Sequence, residues 1–169
     1  HPKFEKTGFI FLVKAPYTII KSLHKRPYHT LVQVPNSIDK FLSSPWPTLY
    51  RDNINIPLLN TPIELWNYKV ASYFKFLEKY NNAILLRYES LLENYEILFD
   101  IIEDKFLLKS DSRLPMLKST KYDRMNTNDY KSKYLKTNSS NGLSSTSIDL
   151  MCSTLDERLM EACQYKNPN

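Results

Sequence analysis

The chain has 169 residues, of which 42% are hydrophobic and 24% are charged, and its formal net charge is +5. This length suffices for one domain with its own core, and the composition excludes an intrinsically disordered chain. No apolar run approaches the roughly 20 residues that a membrane-spanning helix requires, so we expect no membrane span. The basic balance favours an anionic ligand, such as a nucleotide or a sulfated or phosphorylated acceptor. Because the cations are dispersed and form no nucleic-acid motif, we expect no nucleic-acid partner.

Cysteine and glycine are both scarce. Cys152 and Cys163 are the only cysteines, and the apolar pattern assigns both to one C-terminal helix, too far apart to bridge. No disulfide framework is expected, which favours a reducing, cytoplasmic location. Gly8 and Gly142 are the only glycines, so this sequence contains no Gly-rich phosphate loop. The three His and two Cys lack ligand spacing, and no metal site is predicted.

The first two elements are a strand and a helix. Residues 9–13 are an unbroken apolar run, which predicts a strand buried on both faces of a parallel sheet. Lys14 ends the run, and Pro16 fits the first turn of a helix. A cation at the carboxyl end of a strand, before a helix N-terminus, is a typical position for an anion site in an open α/β sheet. An ordinary βα unit with a solvated Lys14 fits the same pattern.

A long connection follows. We predict a short helix at about residues 37–43 and an irregular course from the Pro-Trp-Pro sequence at 45–47 to Asn60. A connection of this length can cover a substrate cleft. Trp46 and Tyr50 are its aromatic candidates for acceptor contact, although a core position is the favoured interpretation of Trp46.

The middle of the chain predicts two helices around a strand. The sequence TPIE at residues 61–64 is typical of a capping box and begins a helix that runs to about Lys79. Residues 83–86 predict a second buried strand. One long helix then carries an apolar stripe made of Leu91, Tyr95, Leu98 and Ile102.

The last third is less regular. Residues 109–141 are rich in Lys, Ser and Asn, and we interpret them as a basic, flexible loop region. A C-terminal helix is predicted from about Leu143 to Cys163, with Ser144 or Ser145 as its cap.

Two motifs resemble the sulfotransferase family. Lys14-Ala15-Pro16, with Ser22 eight residues after Lys14, resembles the Arg-x-Pro and Ser that bind the 3′-phosphate of 3′-phosphoadenosine 5′-phosphosulfate. The sequence RYESLL at residues 87–92 resembles the family's Arg-Tyr-Glu-Asp-Leu-Leu segment, and KRPYH at 25–29 resembles bacterial-type members. Lys14 replaces a bidentate Arg, and Ala15 replaces an Asn or Asp.

The resemblance implies an α/β, P-loop NTPase-like three-layer fold with a parallel sheet, helix-rich in this portion. It implies one domain over residues 1–169, with the family's N-terminal phosphosulfate-loop segment absent from this chain. The implied activity is transfer of a sulfuryl group from 3′-phosphoadenosine 5′-phosphosulfate to a hydroxyl or amine of a small-molecule or carbohydrate acceptor, without a metal.

The resemblance also assigns roles. Lys14 and Ser22 would bind the 3′-phosphate, and Tyr88 would lie near the adenine. His29 and His1 are the candidate general bases, because a His or Glu usually takes this role in the family. Two alternatives stay open: a degenerate member that binds a nucleotide or polyanion without turnover, and a helical interaction protein.

Overall fold

The computed structural model describes residues 4, 6–29, 31–111, 126–135 and 142–167. These residues combine helices with two small sheets. The strands are β1 (Phe9–Val13), β2 (Trp46–Pro47), β3 (Leu58–Leu59) and β4 (Ala83–Arg87). The helices are α1 (Pro16–Lys25), α2 (Ile38–Leu42), α3 (Ile63–Lys79), α4 (Tyr88–Glu93), α5 (Tyr95–Phe106), α6 (Thr127–Leu135), α7 (Ser145–Thr154) and α8 (Glu157–Ala162), with a short 3-10 helix at Tyr50–Asp52.

The chain divides into two compact units, each made from two stretches of sequence. The first, which we call the sheet unit, takes His1–Lys14 and Tyr73–Thr137. The second, which we call the hairpin unit, takes Ala15–Ser72 and Asn138–Asn169. One boundary follows Lys14 directly, and another falls inside α3.

The sheet unit contains a parallel pair, β1 and β4, in register from Phe9 opposite Ala83 to Val13 opposite Arg87. This confirms both predicted strands, the parallel sheet and the mixed α/β class. One face of β1 packs on the C-terminal half of α3, through aromatic side chains. The ring of Phe11 stacks on Tyr73 at 4.8 Å, and the rings of Phe9 and Phe11 lie 5.0 and 5.2 Å from that of Phe76.

The prediction that β1 is buried on both faces is wrong. Ile10 and Leu12 alternate with the packed residues, and both side chains are 47% exposed. Only Val13 at the end of the strand is fully buried. An unbroken apolar run indicates that both faces are apolar, but it does not determine whether another element covers the second face.

The hairpin unit has an apolar core built by four helices and Trp46. Its buried side chains include Tyr17, Ile20, Phe41, Leu42, Trp46, Ile63, Trp66, Val70 and Met151. Trp46 is 1% exposed, which confirms its favoured interpretation as a core residue, whereas Tyr50 is fully exposed.

The connection at 45–60 is more ordered than the sequence indicated. β2 and β3 form an antiparallel hairpin of two residues each, with Trp46 opposite Leu59. The amide of Thr48 donates to the carbonyl of Pro57 at 3.0 Å, which closes the ends of the intervening loop. Strands of two residues are too short to produce an alternating pattern, so sequence periodicity does not detect them.

Both long helices predicted in the second half are divided. Asn94 leaves the helical region with φ −149° and ψ 71°, and it separates α4 from α5. Leu155, with ψ 134°, ends α7, and Asp156 caps α8 by accepting hydrogen bonds from the amides of Arg158 and Leu159. Cys152 therefore lies in α7, whereas Cys163 is the C-cap residue of α8. The apolar repeat continues across each break, which is why the pattern did not indicate it.

The predicted caps have mixed outcomes. Ser144 caps α7 as expected, because its hydroxyl accepts a hydrogen bond from the amide of Ser147 at 3.2 Å. The box at residues 61–64 differs. Glu64 accepts hydrogen bonds from the amide and side chain of Asn60, at 3.0 and 3.1 Å, while the buried Thr61 hydroxyl has no partner within the described ranges.

The basic region is described only in part. Residues 112–125 and 136–141 of the predicted loop at 109–141 lie outside the described residues. Within the predicted loop the structure contains α6, which packs against α4 in the sheet unit. Its sequence carries little apolar periodicity, so the pattern had not indicated a helix. No helix of the described chain is long and apolar enough to cross a bilayer.

Candidate functional site

Two of the predicted ligand-binding residues meet at the carboxyl edge of the parallel sheet. Val13 lies opposite Arg87 at the end of the β1–β4 register. The next residue along each strand is therefore Lys14 on one side and Tyr88 on the other. The Nζ atom of Lys14 lies 4.7 Å from the centroid of the Tyr88 ring. Two positions 74 residues apart in sequence thus become neighbours because the strands run parallel.

The contact is a cation–π interaction within the sheet unit. An ammonium group at this distance from a tyrosine ring contributes roughly 0.5–1 kcal/mol at an exposed site. Both side chains are half-buried. The pair combines a positive charge, which attracts phosphate, with an aromatic face, on which a nucleobase can stack. A nucleotide carries both a phosphate and a base, the two groups that such a pair can contact.

Ser22 belongs to the hairpin unit. It lies on the exposed side of α1, opposite the buried Tyr17 and Ile20, and its carbonyl accepts the hydrogen bond from the amide of Arg26 that ends the helix. Lys14 belongs to the sheet unit, so the two residues that the resemblance assigns to the 3′-phosphate lie in different units. Pro16 occupies the first turn of α1 as predicted.

The histidine candidates have unequal surroundings. His1 lies outside the described residues. His29 is buried, and its Nε2 lies 3.0 Å from the carbonyl oxygen of Pro47, while its Nδ1 accepts a hydrogen bond from the amide of Leu31 at 3.4 Å. These partners fit a neutral imidazole with the proton on Nε2. In this arrangement both ring nitrogens of His29 face backbone groups.

His24, at the end of α1, also has its Nε2 next to a backbone carbonyl oxygen. Its Nε2 lies 2.7 Å from the carbonyl oxygen of Pro35, and its ring packs 5.2 Å from that of Phe41. The contact attaches the connection after α1 to the core of the hairpin unit. Backbone anchoring is therefore the role that the geometry of both described histidines fits best.

A polar network that the sequence did not indicate lies beneath the hairpin loop. Asp52 is 5% exposed, and its Oδ2 accepts hydrogen bonds from the Tyr28 hydroxyl at 2.9 Å and from the Leu49 amide at 2.7 Å. The Tyr28 hydroxyl in turn accepts a hydrogen bond from Nε1 of Trp46 at 3.3 Å. Lys69 donates to the carbonyl oxygen of Asp52 at 2.7 Å, and its Nζ lies 3.6 Å from Oδ1.

The negative charge of Asp52 is compensated within this network by Lys69 and by the hydrogen-bond donors Leu49 and Tyr28. Burial alone would raise the pKa of Asp52, but the hydrogen bonds from Leu49 and Tyr28 and the charge of Lys69 hold it below its usual value. Burial raises the pKa of Tyr28 to about 12, and the neighbouring Asp52 also raises it. The network therefore holds an ionised carboxylate and a neutral phenol at neutral pH. The sequence signal that could have indicated it is the pair of aromatic residues at 28 and 46.

The described side chains include no group of three or more His, Cys, Asp or Glu that could hold a metal ion. Comparisons of the chain with family models, with curated proteins and with solved structures found no match.

Proposed function

We propose that this chain forms the nucleotide-binding part of a sulfotransferase-like protein with a P-loop NTPase-like, three-layer α/β fold. Its cofactor would be 3′-phosphoadenosine 5′-phosphosulfate. The reaction would transfer the sulfuryl group to a hydroxyl or amine of a small-molecule or carbohydrate acceptor. The scarcity of cysteine supports a cytoplasmic location for this activity.

The Lys14 ammonium over the Tyr88 ring is the observation that supports the proposal most directly. The two residues belong to the two separate motifs that resemble the family, and they lie side by side at the carboxyl edge of a parallel sheet. Ligands of open α/β sheets bind at this edge. A pairing of the same two motifs at opposite ends of the sheet would have argued against a shared ligand.

The residues present fit the nucleoside end of the cofactor. Lys14 would attract the 3′-phosphate as a point charge, and Tyr88 would offer its ring to the adenine. The resemblance also assigns Ser22 to the 3′-phosphate, and Ser22 lies on the exposed side of α1 in the hairpin unit.

The residues present do not fit the phosphosulfate end. That group needs a glycine-rich loop of backbone amides, and this sequence has glycine only at positions 8 and 142. Gly8 precedes β1, at the strand end opposite Lys14. When bound, the cofactor supplies the activated sulfuryl group, and the role we assign to the residues of this chain is to bind and orient its nucleoside end.

Calorimetric titration with 3′-phosphoadenosine 5′-phosphate tests this role. We expect Lys14→Ala to weaken binding about 10- to 100-fold, because a charge-assisted hydrogen bond contributes about 1.5–3 kcal/mol. Adenosine 5′-monophosphate, which lacks the 3′-phosphate, should bind wild type and Lys14→Ala equally.

The chain offers a matched control for this variant. Lys79 also lies over a tyrosine ring of the sheet unit, with its Nζ 5.2 Å from the centroid of Tyr80. Lys79→Ala removes the same charge and the same type of contact away from the proposed site, so binding should not change. Equal affinity of wild type, Lys14→Ala and Lys79→Ala would contradict the proposed site.

A second candidate function is nucleotide or polyanion binding without turnover. It is favoured by Lys14 and Ala15 in place of the family's Arg and Asn or Asp, and by the anchoring of His29 on backbone groups. The two candidates differ in a transfer assay with 3′-phosphoadenosine 5′-phosphosulfate and a panel of hydroxyl and amine acceptors. Release of 3′-phosphoadenosine 5′-phosphate that depends on an acceptor supports the transferase, whereas tight binding without release supports the binding protein.

A further inference from the structure

The outer edge of β1 is a second feature of the sheet unit with a functional consequence. In a parallel pair, the amide and carbonyl groups of alternate residues point to the neighbouring strand. The amide of Phe9 donates to the carbonyl of Asn82 at 2.8 Å, so Phe9, Phe11 and Val13 direct their backbone groups towards β4. Ile10 and Leu12 therefore direct theirs to the opposite edge. No third strand joins this sheet in the part of the chain that the structure describes.

The side chains at this edge are apolar as well. Ile10 and Leu12 are each 47% exposed on the face away from α3. Ile10 also lines an open groove with Ile102 and Phe106 of α5 and with Leu108, which is 56% exposed. Sheets of two strands are marginal by themselves, and parallel sheets normally have both faces covered.

The edge carries none of the features that protect edge strands from pairing. Such strands usually contain a charged residue, a proline or a bulge. β1 is Phe-Ile-Phe-Leu-Val, its register with β4 is unbroken, and its nearest charged residue is Lys14, one position beyond the strand. An edge of this composition is suited to hydrogen bonding with another extended strand.

We propose that this edge pairs with the β1 edge of a second copy of the chain, so that two two-stranded sheets join into one four-stranded sheet. A two-fold axis perpendicular to the sheet makes the two β1 strands antiparallel. Placed at Phe11, it sets Ile10 of one copy opposite Leu12 of the other, twice. These are the residues whose backbone groups point outwards, so each facing pair forms the hydrogen bonds of an antiparallel ladder.

The charges beside the strand favour this register over its neighbours. With the axis at Phe11, each of the five apolar residues faces an apolar residue, and Lys14 faces Gly8. With the axis at Ile10, Lys14 would face Lys6, and like charges directly opposite are destabilising. With the axis at Leu12, Lys14 would face Ile10. The residues that flank β1 thus make it complementary to itself in one register.

Sedimentation velocity on the whole chain tests the pairing. We expect wild type to form a dimer, and we expect Leu12→Lys to raise the dimer dissociation constant at least tenfold, because it places two charges inside the joined sheet. Leu31→Lys is the matched control, since Leu31 is a 63% exposed leucine of the hairpin unit. It should dimerise as wild type does. A wild type that is monomeric at all concentrations would overturn the proposal.

Cysteine cross-linking tests the register and does not require a lysine in the strand. In a Cys152→Ser background, chains with Ile10→Cys are mixed with chains with Leu12→Cys under oxidised glutathione. Residues directly opposite in a hydrogen-bonded antiparallel pair are about 5.5 Å apart at Cα, within disulfide range, whereas diagonal neighbours are about 7–8 Å apart. The mixture should therefore cross-link and each variant alone should not. Equal cross-linking in all three samples would contradict this register.

Discussion

Gly8 shows how one residue can be required by a contact that the sequence does not reveal. A Cβ atom on Gly8 would lie 2.8 Å from Cδ1 and Cε1 of Phe106, well inside van der Waals contact. The Phe106 ring comes from the end of α5, about a hundred positions along the chain. Gly8 therefore permits the close approach of α5 to the start of β1.

Gly8→Ala should lower the free energy of unfolding. The overpacking costs about 1–3 kcal/mol. This exceeds the roughly 0.4–1 kcal/mol that replacing glycine contributes through the unfolded chain. Urea unfolding measures the difference. In a Phe106→Leu background the same substitution should cost much less, because the clashing ring is gone; an undiminished cost would mean that another contact is responsible.

Tyr28 also acts at the scale of one residue, through its hydroxyl. Tyr28→Phe removes both the donor to the Asp52 carboxylate and the acceptor for the indole N–H of Trp46. Leaving these buried groups without their partner should cost about 1–3 kcal/mol in the free energy of unfolding. Tyr50→Phe is the control in the same loop, because Tyr50 is fully exposed and should change stability by less than about 0.5 kcal/mol. Equal effects of the two substitutions in urea unfolding would show that the Tyr28 hydroxyl contributes nothing to stability.

At the scale of elements, Asp39 joins α2 to the start of α7. Its Oδ1 accepts hydrogen bonds from the Ser144 amide at 3.2 Å, the Ser144 hydroxyl at 2.9 Å and the Ser147 hydroxyl at 2.5 Å. The hydrogen bond from Ser147, followed by those from Ser144, holds the pKa of Asp39 below its usual value. A carboxylate near a helix N-terminus is also favoured by the helix dipole.

This contact predicts a pH dependence. Because the pKa of Asp39 is lower in the folded chain than in the unfolded chain, its contribution is complete above the unfolded pKa of about 3.9 and is lost as the pH falls through the folded value. Asp39→Asn should therefore have a lower urea midpoint than wild type at pH 7. The difference should shrink below about pH 4.

Asp149→Asn is the control for this prediction, because it removes an exposed carboxylate from α7 and leaves these hydrogen bonds intact. Its midpoint should follow that of wild type at neutral pH. A constant difference between Asp39→Asn and wild type from pH 7 to pH 3 would contradict the assigned role of the carboxylate.

The two divided helices differ in how the second helix begins. Asp156 caps α8 through its side chain, which accepts hydrogen bonds from the amides of Arg158 and Leu159. Asn94 separates α4 from α5 by its backbone conformation and forms no side-chain cap hydrogen bond. We predicted one continuous helix across each of these positions because the apolar period continues there. Periodicity indicates which face is buried, but it does not indicate whether the backbone is continuous.

At the scale of the whole molecule, the two units are each made of distant stretches of sequence. The boundary after Lys14 divides the phosphate motif, because Lys14 belongs to the sheet unit and Ser22 to the hairpin unit. The whole chain carries a net charge of +5, which is consistent with an anionic ligand. The proposed dimer would carry two of the proposed nucleotide sites on one four-stranded sheet, because each β1 ends at its own Lys14.

The sequence by itself determined the positions of β1, α1, α3 and β4 and the core position of Trp46. It did so because buried strands, helix starts and helix periods leave local patterns within about ten residues. Only the tertiary structure decided that Lys14 lies over Tyr88, that Phe106 packs on Gly8 and that Asp52 is buried beneath the hairpin loop. Most of these contacts join residues far apart in the sequence, and no local pattern encodes the register or packing that brings them together. The exposed second face of β1 was decided in the same way, because burial depends on which other elements are present to cover an apolar surface.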